Sequence, residues 1–134
     1  MKGHEKEQRM KLLTHNLLRS NVKGVKKGFP LKIEAIKVEE KETEFNPEFV
    51  LSMLERIDWE AFKNAALQMG PEFSVKLPAE KPENFSNDEE FLKLVHHALF
   101  EIILVEGFLI CPESGRRFKV ENAIPNMLLN EDEI

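Results

Sequence analysis

Residues 111–117 read Cys-Pro-Glu-Ser-Gly-Arg-Arg, and the reading of that stretch decides the fold. Cys-Pro-x-x-Gly opens a zinc knuckle, a tight turn in which a second thiolate completes half of a tetrahedral site. Here Ser114 holds the second position, and Cys111 is the only cysteine of the chain. The stretch is therefore a damaged metal site, an unrelated turn, or a knuckle whose fold outlives its metal. Zinc needs four nitrogen or sulfur ligands. Beyond Cys111 the candidates are His4, His15, His96 and His97, and the last two are neighbours on one helix, about 100° apart around its axis. No resident metal is expected, and Cys111 reads as a small buried hydrophobe.

Outward from the turn, short apolar runs flank it. Leu104 and Val105 lead to an expected turn at Glu106-Gly107, Phe108 to Ile110 form a second run, and Arg117 to Val120 a third. Three short strands joined by tight turns make a meander. Further upstream the pattern is helical. Asn46 is a cap, Pro47 suits the first helical position, and Phe49, Val50, Met53, Leu54 and Ile57 share a face. Asp58 caps a second helix carrying Trp59, Phe62, Ala66 and Met69, which Gly70 ends; Phe49 and Trp59 are assigned to the helical core. Residues 71–85, with Pro71, Pro78 and Pro82, read as a loop. Ser86 and Glu89 are spaced as a capping box, and Phe91, Leu92, Val95, Ala98, Leu99 and Ile102 follow on one face.

Near the N-terminus, residues 16–19 are expected to form one helical turn. Leu31, Ile33 and Ala35 then alternate as in a half-buried strand, and the phase slips at Ile36, where a bulge is expected. Strand material, helices and strands again imply an α+β fold: a small antiparallel sheet from both termini with the helices inserted between. Residues 1–9 read as a flexible extension, 10–40 and 102–134 as the sheet-bearing part, and 41–101 as the helical insertion.

At 134 residues, with 42% hydrophobic and 32% charged content, the chain can bury a core without disulfide staples. No apolar run is long enough to span a membrane, and the charged start carries no secretory signal, so an intracellular soluble protein is expected. The single cysteine fits a reducing compartment. A net charge of −5 argues against nonspecific nucleic-acid affinity for the whole molecule. Basic residues do crowd the N-terminal quarter, from Arg9 through Lys26 and Lys27 to Lys32, so a stand-alone RNA-binding module is the alternative reading. That alternative lacks an aromatic stacking platform.

Neither a phosphate-binding loop nor a dinucleotide fingerprint is present, and no orienting residue supports Cys111 as a nucleophile, so no catalytic residue is assigned. What stands out is apolar character in unusual places: Leu12, Leu13, Leu17 and Leu18 near the start, and Ile124-Pro-Asn-Met-Leu-Leu129 after the meander. Pro125 points to an edge strand. If the termini share a sheet, the two sets approach each other and form a partner surface, open to strand addition.

The strings MKLLTHNLL (10–18), EFNPEF (44–49), CPESGRRF (111–118) and IPNMLL (124–129), in this order, resemble the multifunctional methyltransferase-activating subunits of eukaryotes. The resemblance covers residues 10–134. It implies a zinc-ribbon-like domain with a helical insertion and no active site. It implies heterodimers with catalytic methyltransferase subunits acting on tRNA, ribosomal RNA and a translation release factor, with a place in ribosome biogenesis. S-adenosylmethionine is then bound by the partner, the chain has no cofactor of its own, and it meets RNA only through the partner, in cytoplasm and nucleus and on no membrane. The resemblance carries the partner-binding role onto Thr14, Asn16, Leu17 and Leu18, onto Phe45, Asn46 and Pro47, and onto Ile124, Pro125, Asn126, Met127, Leu128 and Leu129. Asn16 and Asn126 are expected to act as polar pins on edge backbone groups. Fungal members carry two cysteine pairs where this chain has Ser20, Val25, Cys111 and Ser114; animal members also lack the full set. The knuckle is thus expected to persist as a turn without its metal. Ala123 stands where the family usually has glycine, so strain is expected there if the backbone turns to positive φ.

Overall fold

The computed structural model describes residues 9–134, so the expected extension, apart from Arg9, lies outside the described residues. Four strands form one antiparallel sheet: β1 (Lys32–Glu40), β2 (Ile102–Ile110), β3 (Arg117–Glu121) and β4 (Ile124–Pro125), side by side in that order. Helix α1 (Leu12–Leu17) precedes the sheet; α2 (Pro47–Arg56), α3 (Trp59–Met69), α4 (Pro71–Ser74) and α5 (Glu89–His96) lie between β1 and β2. The architecture is the expected α+β sheet with helices.

The start of the chain joins this sheet directly. Met10 N–H donates to Ala123 O (2.6 Å), Leu104 N–H donates to Met10 O (2.9 Å), and Lys11 bridges to Ile103. On β1 the pairing slips between Ala35 and Val38, so the expected bulge is present. It leaves Ile33 inside and turns Ile36 outward, 65% exposed.

β2 runs unbroken through Glu106-Gly107, where the sequence suggested a turn. The glycine has another use. Gly107 faces Ala35 across the ladder, and a Cβ there would stand 2.3 Å from Glu34 O. It permits a close backbone approach beside the bulge, so the expected three-strand meander is a β2–β3 hairpin followed by the short β4.

Helix starts follow local chemistry. Phe49 N–H donates to Asn46 Oδ1 (3.2 Å) and Ala61 N–H to Asp58 Oδ1 (2.9 Å), as expected. The third start is two residues later than the capping-box reading. Asp88 Oδ1 accepts from Phe91 N–H (3.1 Å), while Ser86 sits in the 3-10 turn Phe85–Asn87. Phe85 stacks on Phe91 with ring centroids 6.2 Å apart, which holds the chain in that turn. The loop expected over 71–85 opens with α4, and Leu77 within it is buried. The turn expected at 16–19 is displaced to Leu12–Leu17, because Leu12, His15 and Asn16 face inward from that helix.

One hydrophobic cluster draws on helices and strands together, including Met10, Val50, Leu54, Phe62, Leu99, Leu104, Leu109 and Phe118. Phe49, expected in the core, is 46% exposed and stacks on Phe100 at the rim. Trp59 is half-buried and donates from Nε1 to Pro78 O (3.2 Å).

Candidate functional site

The turn at 111–116 has the knuckle shape. Cys111 N–H donates to Arg116 O (2.9 Å), Gly115 N–H to Cys111 O (3.0 Å), and Ser114 N–H to the Cys111 sulfur (3.3 Å). Gly115 takes φ 78°, which its missing Cβ permits. The facing loop brings the buried Ser20 hydroxyl, otherwise without a partner, beside the thiol. Burial pushes the Cys111 thiol up, but the Ser114 and Ser20 hydroxyls and the N–H groups of Ser114 and Glu113 outweigh it and bring the pKa to about 7.

One thiol and two hydroxyls do not make a zinc site, because neutral hydroxyls are poor ligands beside thiolate and imidazole. The described histidines are committed elsewhere. His15 Nε2 lies 2.6 Å from Leu31 O, and burial lowers its pKa. His96 and His97 both reach Glu101, at 3.4 and 2.8 Å. Among the described residues no cluster of three His, Cys, Asp or Glu side chains is arranged to hold a metal. A carboxylate joins the two loops instead: Glu113 Oε1 accepts from Lys26 N–H (3.1 Å) and Lys27 N–H (2.9 Å).

The two outer edges of the sheet are treated differently. On β1 the outward Ile33 N–H donates to Gln68 Oε1 of α3 (2.6 Å), and α3 packs along that strand. Beyond β4 no element follows in the sheet. Asn126 N–H donates to Lys119 O (2.9 Å) and extends the pairing by one bond. Met127 and Leu129 turn toward the core, while Ile124 of β4 and Leu128 point out, 51% and 79% exposed. Their side chains, with Lys119 and Glu121 of β3, border an open groove of about 710 Å³.

The expected site residues separate into three places. Ile124–Leu129 forms the edge just described, though the Asn126 side chain accepts from Leu128 N–H (3.1 Å) and so shapes its own turn. Thr14, Asn16, Leu17 and Leu18 belong to α1 and its end, which pack against α3 and the π turn His97–Glu101. Within that group Leu17 is 72% exposed, and Thr14 donates to Arg9 O (3.1 Å). Asn16 has a different occupation from the polar pin expected of it. It is buried, its amide donates to Asp58 O (3.0 Å), and its carbonyl accepts from Asp58 N–H (2.9 Å), tying α1 to the start of α3. Phe45, Asn46 and Pro47 build the start of α2, with the Phe45 ring edge-on to His96 at 5.4 Å. Sequence reasoning missed Gln68 and Arg116; neither carries a local signal, since each acts on a backbone far away in the chain.

A small sheet with one guarded edge and one open apolar edge offers a surface for another protein. The chain belongs to the Trm112p-like protein family, which matches residues 11–122. It is 52% identical over 127 residues to multifunctional methyltransferase subunit TRM112 homolog A of Arabidopsis thaliana, covering 93% of this chain and all of the relative. It is 48% identical over 125 residues to the TRM112-like protein of Mus musculus (92% and 98% covered). Identity is 33% over 130 residues to TRM112 of Saccharomyces cerevisiae (90% and 96% covered). The fold is similar to a chain in the E. cuniculi Mtq2-Trm112 complex, described as responsible for methylating the eRF1 translation termination factor. There the TM-score is 0.59 at 20% identity, over 89% of this chain and 95% of that one.

Proposed function

We propose that this chain is a non-catalytic activating and stabilising subunit shared by several S-adenosylmethionine-dependent methyltransferases of tRNA, ribosomal RNA and translation release factor. The observation that carries the reading is the open β4 edge, a strand paired on one side only, where Ile124 and Leu128 stand exposed. The relatives' names, multifunctional methyltransferase subunits, support it. A catalytic subunit laying a strand along this edge gains backbone hydrogen bonds and buries aliphatic side chains at about 25 cal/mol per Å². A catalytic subunit that is unstable alone then gains folded population by mass action. The partner binds S-adenosylmethionine and contacts RNA; the chain contributes no reacting group and works in both cytoplasm and nucleus.

The test is co-purification of the tagged chain from a eukaryotic lysate, with bound proteins identified by mass spectrometry. Several methyltransferases in near-equal ratio with the bait are the expected result. RNA without any methyltransferase would overturn the reading in favour of the basic N-terminal quarter. Cys111→Ser is expected to leave the activation of its methyltransferase partners intact; loss of that activation in a folded variant would revive the thiol-enzyme reading.

A further inference from the structure

Met127 and Leu129 pack against the core, but few polar contacts hold the backbone of the segment that carries Leu128 between them. One backbone bond, Asn126 N–H to Lys119 O, ties it to β3, and the Asn126 side chain closes a local turn. Left so, the exposed leucine would sample many positions, and a partner would bear the cost of ordering it. The knuckle turn supplies the missing support. Its Arg116 points its guanidinium across to the tail. Nε contacts Glu133 Oε2 at 2.6 Å, and Nη2 reaches Glu133 Oε1 at 3.3 Å and Leu128 O at 3.4 Å. Its Nη1 donates to Arg117 O, and the guanidinium carbon lies 4.8 Å from the Phe118 ring centroid, so the fork is held from behind.

Glu133 is fixed in turn. Its Oε1 accepts from Asn130 N–H (2.9 Å), and its backbone carbonyl accepts from Lys23 N–H (2.6 Å) of the facing knuckle loop. The Arg116 guanidinium, with the Asn130 N–H, holds the Glu133 carboxyl below the usual carboxylate range.

We propose that Arg116 is a positioning residue for the partner-binding edge: by gripping Glu133 and the Leu128 carbonyl it presets segment 126–133, so that Leu128 is presented to a methyltransferase already in place. This rests on the function proposed above and adds a role for the last part of the knuckle turn. The knuckle turn aims a guanidinium at the docking segment.

The experiment measures affinity of purified chain variants for one catalytic methyltransferase subunit recovered with the wild type. Arg116→Gln and Glu133→Gln are each expected to weaken binding roughly tenfold by lowering the fraction of binding-competent edge. The double variant is expected to lose little more, because the pair acts as a unit. The exchanged pair, Arg116→Glu with Glu133→Arg, recovers part of the affinity. Amide exchange at Leu128 and Asn130 accelerates in the single variants while the amides of α2 and α3 stay as protected as before. If Arg116→Gln does not fold, Arg116→Lys, which keeps the charge and loses the fork, takes its place. Wild-type affinity in the single variants, or fully additive losses in the double, overturns the proposal. Leu128→Glu separates the two readings. If it abolishes binding while Arg116 variants bind normally, only the positioning role falls; if it too binds normally, the edge itself is misplaced and both fall.

Discussion

The two edges of this sheet are treated in opposite ways. β1 has nine residues, and its outward Ile33 N–H is taken by the Gln68 side chain of a helix lying alongside. β4 has two, with Ile124 facing solvent, ends at Pro125, and continues into a segment whose Leu128 side chain faces solvent too. A long unprotected edge invites any passing strand. A short edge, with specificity in its side chains and its outer backbone free, invites a chosen one. The difference teaches that the helical insertion does more than complete the core: it closes one side of the sheet, so that docking has one direction.

The largest effect is expected from placing charge on the open edge. Leu128→Glu removes an apolar anchor and buries a carboxylate in any complex, so partner affinity should fall at least about a hundredfold. Circular dichroism and the urea midpoint of the isolated chain should stay unchanged; an unfolded variant would mean that the run belongs to the core. The guarded edge should answer in the opposite way. Gln68→Leu leaves Ile33 N–H without its partner, at a cost of about 1–2 kcal/mol in urea unfolding, with partner affinity retained. Loss of affinity comparable to that of Leu128→Glu would erase the distinction between the edges.

Acid sharpens the comparison, since depressed carboxyls sit on both sides of the sheet: Glu34, lowered by its bonds to Arg117, and Glu101 and Glu133. At the root of the helical insertion, burial works against the Glu101 carboxylate. The Thr43 N–H, His97 and His96 outweigh it and hold the carboxyl below its ordinary 4.5. Glu133, held chiefly by Arg116, is depressed likewise beside β4. A depressed folded pKa gives stability that is present above the unfolded value and lost as pH falls through the folded one. Chain stability should therefore decline below about pH 4.5, and Glu101→Gln should flatten that decline, read from urea midpoints between pH 3 and 6. Glu133→Gln should flatten it less and act mainly on partner affinity.

The smallest effect lies at the entrance to β4. Asn122 and Ala123 take φ 53° and 64°, so the alanine carries the strain that the sequence led us to expect. The left-handed conformation costs a non-glycine residue about 1–2 kcal/mol. Ala123→Gly relieves it but exposes more of the unfolded backbone's freedom and loses a buried methyl worth about 0.8 kcal/mol. A net gain of less than about 1 kcal/mol is expected; destabilisation would show that the methyl's packing outweighs the strain.

What was legible in the sequence was mostly local. Asn46 and Asp58 could be read as caps because each needs only its own next turn. The phase slip at Ile36 announced the bulge, since the alternation of β1 is written in consecutive residues. Gly107 was misread because a glycine in a strand pattern signals either a turn or a close approach. Only Glu34 O, far off in sequence, decides between them. Ser86 lost the cap to Asp88 for a similar reason, the stacking of Phe85 on Phe91. At the site, Pro125 and the apolar run around it marked an edge. The occupation of Asn16 depends on Asp58, and the use of Arg116 depends on Glu133, so neither could be read from its neighbours.

The hydrogen bond from Met10 to Ala123 sets an order of events for a chain leaving the ribosome. Helices α2, α3 and α5 contain their own hydrogen bonds and can form as they emerge. Met10 must wait until residue 123 has been made, because its acceptor lies there. Until then the strand that Ala123 precedes is missing, and Leu104 has no finished neighbour on that side. The docking edge therefore forms later than the helices, and a catalytic subunit can be captured only after residues 124–129 have joined β3.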